Sequence, residues 1–272
     1  MYQLIAIDVD GTLLNSNKQL TSYTKQVLIK ALQQGKEIVI SSGRCLAEIE
    51  DVMKEVPEIR YFIMNSGARV YDRLLKKDIY TCQLDKEYVL QLLDTLSDMD
   101  TMIQIMMDSS IFDSKKGRML ENYYMSQYRE MFKRTGQYVD NLESWYKENP
   151  FDVDKINFYH TSPEQRESSF QRIKDMNICR KYAEITSIEC SNTKVNKGTG
   201  VIKLCEYLGV DLASTIAIGD ADNDTDMLKV AGLSIAMGNA GDSVKEICDV
   251  IVEDNDHDGC AKAIEKYMLK KI

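Results

Sequence analysis

Two aspartates one residue apart, Asp8 and Asp10, close the apolar run of residues 4–7 and stand directly before Gly11-Thr12. In extended chain, side chains at i and i+2 point to the same side. Two carboxylates held that close raise one another's pKa. A divalent cation removes the conflict, because its charge outweighs either repulsion. Mg2+ suits the site: it prefers oxygen ligands, needs few protein carboxylates and keeps positions for substrate phosphate. Asp220, at the end of Ile216-Ala217-Ile218, is the natural third oxygen donor. Gly11 lets the chain turn sharply after the pair. Taken alone, Asp-x-Asp-Gly is equally a turn or cap. That alternative leaves Asp220 and Asn223, at an equivalent strand end, without an explanation.

Three more polar stretches sit beside apolar runs: Ser41-Ser42-Gly43-Arg44, Asn196-Lys197-Gly198 and Gly219-Asp220-Ala221-Asp222-Asn223-Asp224. Ser42 and Gly43 read as the opening of a helix, where a hydroxyl and free N–H groups suit a phosphate oxygen; the plainer reading is an N-cap serine. Lys197 starts a helix and can reach back with its ammonium; the plainer reading is a solvated lysine. In an open parallel sheet the loops at the carboxyl ends of the strands converge on one crevice, where ligands bind.

The elements that must position these residues follow from periodicity. Strand-like runs at 4–7, 37–40 and 61–64 alternate with helical patterns at 21–34 and 46–56. This predicts βαβ units and a parallel sheet with helices on both faces, an α/β Rossmann-like core. Beyond about residue 84 the pattern becomes α+β: helix 88–96, a hairpin from 101–107 and 111–114, a Tyr- and Met-rich helix over 118–132, strand 155–159, helix 163–176, strands 181–185 and 187–190. The first rhythm returns with helix 198–208, strand 215–218, helix 225–230, strands 234–237 and 249–252, and helix 260–269. The expectation is a discontinuous core, 1–83 and 191–272, interrupted by an α+β domain at 84–190.

Composition narrows the partners. A formal net charge of −9 argues against nucleic acid and against an anionic membrane surface. Apolar stretches of four to six residues cannot span a bilayer, and no signal peptide is read at the start. Seven scattered cysteines with no Cys-x-x-Cys read as free thiols, which implies a reducing, cytoplasmic setting.

Together the stretches Asp8-Val9-Asp10-Gly11-Thr12, Ser42-Gly43-Arg44, Asn196-Lys197-Gly198 and Gly219-Asp220 through Asn223-Asp224 resemble the haloacid dehalogenase superfamily, and within it the Cof-type phosphatase branch. Asn65-Ser66-Gly67-Ala68, Ala236-Met237-Gly238-Asn239-Ala240 and Asn255-Asp256-His257-Asp258-Gly259 are similar to that branch as well. The resemblance covers both flanks of the chain and is weaker over the insert, where the branch carries a cap. It implies an aspartyl-phosphate phosphatase acting on a small phosphorylated metabolite, a sugar phosphate or phosphorylated cofactor. Asp8 would be the nucleophile and Asp10 the general acid and base. Asp8, the carbonyl of Asp10 and Asp220 would hold Mg2+. Ser42, Gly43, Lys197, Asn223 and the backbone at Val9 would bind phosphate, and Asp224 would position Lys197 or a metal-bound water. Arg44 and Asn65, from the same motifs, are the candidates for contact with substrate. The cap would act as a lid. Val9, where Leu or Phe is more usual, and Ser41-Ser42 in place of Ala-Thr are the departures. Two other readings are a phosphomutase of the same superfamily and a non-catalytic protein that binds phosphometabolites.

Two further features are assigned structural parts. His160, at a strand end, and the cluster of Tyr123, Tyr124, Met125, Tyr128 and Met131 read as packing. Residues 254–265 fit the EF-hand loop pattern, with Asp254, Asp256, Asp258, Gly259 and Glu265 at the positions it specifies. A strand rather than a helix precedes them, so they read as a loop that caps the last helix.

Overall fold

The computed structural model describes residues 2–269. The first apolar run forms β1 (Leu4–Asp8), buried along its whole length. Thr21 caps the next segment by accepting from the Thr24 N–H, giving α1 (Ser22–Gln33). It is followed by β2 (Glu37–Ser41), α2 (Leu46–Glu55), β3 (Tyr61–Met64) and the pair β4 (Arg69–Asp72) and β5 (Lys77–Thr81). The middle of the chain makes α3 (Lys86–Thr95), β6 (Thr101–Met106), β7 (Ser110–Asp113), α4 (Arg129–Thr135), β8 (Gly136–Val139), α5 (Leu142–Glu148), β9 (Lys155–His160), α6 (Pro163–Arg172), β10 (Cys179–Tyr182) and β11 (Ser187–Ser191). The last part makes α7 (Lys197–Leu208), β12 (Thr215–Gly219), α8 (Thr225–Val230), β13 (Leu233–Ala236), α9 (Asp242–Lys245), β14 (Val250–Ile251) and α10 (Gly259–Tyr267).

Two compact units emerge. The first contains the described chain up to Gly43, Glu50–Thr81 and the chain from Asn196 onward; the second contains Arg44–Ile49 and Cys82–Val195. In the first unit, the described residues form one sheet in the order β14-β13-β12-β1-β2-β3-β4-β5. Its pairs from β14 to β3 are parallel, and β4 and β5 add an antiparallel edge. The near-continuous apolar strands suit a sheet covered on both faces. From β1 the chain runs outward through β2 and β3; on its return it lays β12 against the other side of β1. The strand order therefore reverses between β1 and β12, where ligands bind in open α/β sheets.

The second unit carries a six-stranded sheet, β10-β11-β9-β6-β7-β8. An apolar cluster that includes Leu92, Ile105, Tyr146, Phe158 and Ile188 covers one face. The opposite face is mixed: Gln104, Ser110 and Asn157 are buried there beside a second apolar cluster that includes Met102, Phe112 and Tyr159, and Lys155 pairs with Glu189. The first turn of α2 belongs to this unit for a local reason. Ala47 donates its N–H to the Asp108 carbonyl, and the buried Glu48 carboxylate accepts from Ser110 Oγ at 2.5 Å and from Gln104 Nε2 at 3.1 Å.

The structure corrects several sequence expectations. Residues 118–132 are not one helix. Short turns at Leu120–Tyr123 and Ser126–Tyr128 precede α4, and Tyr124 stands between them in the left-handed region at φ 59°. The reason is packing: Leu120, Tyr123, Met125 and Phe132 bury together against Phe112, a spacing no single helix face provides. The strand expected at 181–185 is β10, shifted toward the N-terminus, and the helix expected to reach 176 ends at Arg172. Pairs β4 and β5, strand β8 and helix α5 had no counterpart in the sequence reading.

Candidate active site

The site begins where β1 and β12 end side by side. Ile7 and Ile218 are register partners, so Asp8 and Gly219 are adjacent, with Asp220 one residue further on. Asp8 is 7% exposed. After it the chain turns at Gly11, whose φ is +85°; a Cβ there would lie 2.4 Å from Asp220 Oδ2. The turn brings Thr12 round to donate its hydroxyl to Asp220 Oδ1 at 2.7 Å.

Lys197 reaches this point from the first position of α7. Asn196 caps the helix by accepting from the Thr199 N–H at 2.7 Å. Gly198 permits close approach to α8, since a Cβ would stand 2.4 Å from the Asp226 carbonyl. The Lys197 side chain is 1% exposed, and its ammonium donates to Asp8 Oδ1 at 2.5 Å and to Asp224 Oδ1 at 2.6 Å. The other oxygen of Asp224 accepts the N–H groups of Asp220 and Ala221, at 3.0 and 3.1 Å. Asp224 thus holds the lysine with one oxygen and the β12 loop with the other.

Electrostatics of the cluster are unbalanced. Asp8, Asp220 and Asp224 each offer an oxygen, all within 4.8 Å of one another, and Lys197 is the ammonium bonded among them. Burial pushes Asp8 up to about 8, and the charge of Asp224 adds to it, against the opposing pull of Lys197. Burial likewise pushes Asp220 up to about 6, opposed by the Thr12 hydroxyl. Burial alone would pull Lys197 down, but the carboxylates of Asp224 and Asp8 hold it above its ordinary value. Three carboxylates, those of Asp8 and Asp224 buried and that of Asp220 half-buried, share one ammonium and leave a deficit of positive charge. All the donors are oxygens, which suits a hard divalent cation. Within the cluster Asp224 is bonded by the ammonium and two backbone N–H groups, Asp220 by the neutral side chains of Thr12 and Asn239, and Asp8 by the ammonium.

The remaining candidates are placed as follows. The Asp10 carboxylate accepts from Lys18 Nζ at 2.9 Å and lies outside the three-carboxylate cluster. Val9 is fully buried. Ser42 is buried at the end of β2 and gives its N–H to the Ile63 carbonyl. Helix α2 begins only at Leu46, so Ser42 and Gly43 do not open it as the sequence suggested. Asn65 is buried in the turn after β3, at φ 49°. Asn223 is exposed in the turn Asp222–Asp224, and Arg44 is half-buried in the second unit.

Two residues quoted in the sequence motifs without a role prove to be part of the site. Thr12 holds Asp220. Asn239 donates to the Gly11 carbonyl at 2.9 Å and to Asp220 Oδ2 at 3.4 Å, while its own carbonyl oxygen accepts the Asn255 N–H. Each lies in a motif rich in residues with obvious chemistry, and a short neutral side chain carries no separate signal. The EF-hand-like residues diverge: Asp254 accepts from the N–H groups of Asp256 and His257, Asp256 from Ser16, Asp258 from Thr21 and Thr24, and Glu265 from Tyr23.

Comparison with known proteins agrees with this geometry. A family model described as haloacid dehalogenase-like hydrolase matches residues 5–264. Phosphatase YwpJ of Bacillus subtilis is 27% identical, with 99% of each chain covered. The 5-amino-6-(5-phospho-D-ribitylamino)uracil phosphatase YcsE of the same species is 28% identical, over 98% of this chain and 96% of its own. Among solved structures, a haloacid dehalogenase-like hydrolase from Bacteroides thetaiotaomicron matches at a TM-score of 0.86 and 26% identity, over 98% of this chain and 99% of that one.

Proposed function

The chain belongs to the haloacid dehalogenase-like hydrolases as a phosphatase, and on that premise we propose that it hydrolyses a small phosphorylated metabolite with Mg2+, through an aspartyl-phosphate on Asp8. The class covers sugar phosphates and phosphorylated cofactors; the similarity to a phosphatase of a phosphoribityl-amino-pyrimidine supports a polyol or nucleobase-like leaving group. The second compact unit is assigned the part of the cap.

The observation that carries this reading is the placement of Asp8: buried at the switch point, bonded to Lys197, with Asp220 at the neighbouring strand end. Asp8 Oδ attacks phosphorus and the bond from phosphorus to the leaving oxygen breaks. Asp10 gives that oxygen a proton and later takes one from the water that attacks the phosphoryl group, which frees Asp8 and releases phosphate. Lys197 neutralises charge on the transferring group. Mg2+, held by Asp8, Asp220 and the Asp10 carbonyl, would supply further positive charge to the phosphoryl oxygens. Phosphate release from a panel of phosphorylated metabolites and p-nitrophenyl phosphate, with Mg2+ and with EDTA, tests the reading. Wild type should turn over only with the cation, and Asp8→Asn should fold normally and release nothing. Release by Asp8→Asn, or release unaffected by EDTA, would defeat it.

A further inference from the structure

The loop that follows Asp8 is built with more order than a connection requires. Asn15 Oδ1 accepts the N–H groups of Asn17 and Gln19, and the backbones of Asn15, Lys18 and Gln19 bond across the turn. Lys18 is held at φ 59°, a left-handed conformation that a residue with a Cβ adopts only when its surroundings impose it. The C-terminal loop supplies that restraint. Asp256 accepts both the N–H and the hydroxyl of Ser16, at 2.8 and 2.7 Å, and Asn255 Nδ2 donates to the Leu14 carbonyl at 2.9 Å. The acidic stretch that resembles a calcium loop is thus a clamp on the turn after the catalytic aspartates. The side chain the strained turn presents is Lys18, whose ammonium donates to Asp10 Oδ1 at 2.9 Å. Both partners are substantially exposed, at 56% and 32%. Such a pair contributes little to folding stability, so stability does not account for a strained, doubly anchored turn that delivers it.

We propose that Lys18, fixed by the clamp of Asn255 and Asp256, is a positioning residue that sets the direction of the Asp10 carboxylate for proton transfer to the leaving group. The inference rests on the phosphatase reading with Asp10 as general acid. It distinguishes substrates by their leaving groups. An alkyl phosphate needs a proton on its departing oxygen, whereas p-nitrophenolate leaves readily without one. The quantity to measure is kcat/KM, which reports the steps up to the first irreversible bond cleavage and so excludes the later attack of water.

For Lys18→Met, kcat/KM on an alkyl monoester such as glycerol phosphate should fall about tenfold, a fraction of what general acid catalysis supplies. On p-nitrophenyl phosphate it should fall less than about twofold, and Lys18→Arg should restore most of the alkyl activity. Equal losses on both substrates, no loss on either, or Lys18→Arg as impaired as Lys18→Met would overturn the role of Lys18 while leaving the phosphatase reading standing. A wild-type protein inactive on both esters would instead overturn the phosphatase reading, and this inference with it.

Discussion

Replacing Lys197 by Met tests the charge balance of the site most directly. Methionine keeps much of the apolar stem and deletes the ammonium that bridges Asp8 and Asp224. Removing one partner of a buried ion pair costs about 3–5 kcal/mol, because the charge left behind is uncompensated. Asp8 relieves part of that by taking a proton, since burial and the charge of Asp224 already push its pKa up and the variant loses the opposing pull of Lys197. We therefore place the loss at the lower end, about 3 kcal/mol. In a protein of this size each kcal/mol moves Tm by about 2–4 °C, so the variant should melt about 6–12 °C below wild type in EDTA. Its carboxylates have lost the ammonium bonded among them, so Mg2+ should raise the Tm of the variant by more than it raises that of wild type. Phosphate release should fall by about 10²–10³, the effect of losing one preorganised donor to developing charge. Calorimetry in EDTA and in Mg2+, paired with a phosphate-release assay, measures all three. If Lys197→Met melts within about 2 °C of wild type in EDTA and Mg2+ stabilises both equally, the carboxylates do not carry the deficit argued here.

The other predictions are local. Gly11→Ala puts a Cβ 2.4 Å from Asp220 Oδ2 at a φ of +85°; the strain should cost about 1–3 kcal/mol and weaken Mg2+ binding measured by calorimetric titration, and an unchanged affinity would show that Asp220 is no ligand. His160 is neutral in the fold, with Nδ1–H donated to the Thr186 carbonyl and Nε2 accepting from Ser169, and burial, opposed by that carbonyl, holds its pKa below the ordinary value. The unfolded chain therefore binds the extra proton, so this contribution is constant above about pH 6.5 and is lost as pH falls below it. His160→Gln should lose less stability than wild type between about pH 7.5 and 5.5 in denaturant titrations, and parallel losses would refute the assignment.

The parallel core was legible in the sequence because each of its strands is a short apolar run closed by a polar cluster, and a buried parallel strand leaves no other pattern open. Asp8 and Asp220 were legible for a related reason, whereas Lys197 and Asp224 entered through the resemblance of their motifs to a known family. Ionisable groups directly beside fully apolar runs are costly unless they meet, and the topology of such a sheet offers one edge at which they do. The second unit was harder to read. Its sheet buries polar residues on one face, so the alternation that marks a half-exposed strand is blurred. Beta-strand β8 and helix α5 are short, and Tyr124 breaks a segment whose composition favours a helix.

The residues that orient the site stayed hidden because their pairing is a matter of direction. Residues 254–265 space their oxygens as a calcium loop does, yet a cation needs lone pairs that converge. Here Asp254 turns back on its own backbone, Asp256 faces Ser16, and Asp258 faces Thr21 and Thr24. Each carboxylate is paired with a hydroxyl or an N–H, and the sum of these pairings ties the last loop to the turn behind Asp10. Spacing along a chain records which groups are available, and only the fold decides whether they gather on an ion or divide among separate donors. Asn239 illustrates the same point on the productive side. One amide reaches the Gly11 carbonyl, Asp220 and the Asn255 N–H, joining the proposed metal ligand to the loop that clamps the turn, so that any displacement of the C-terminal loop is felt at Asp220 and at Lys18 together.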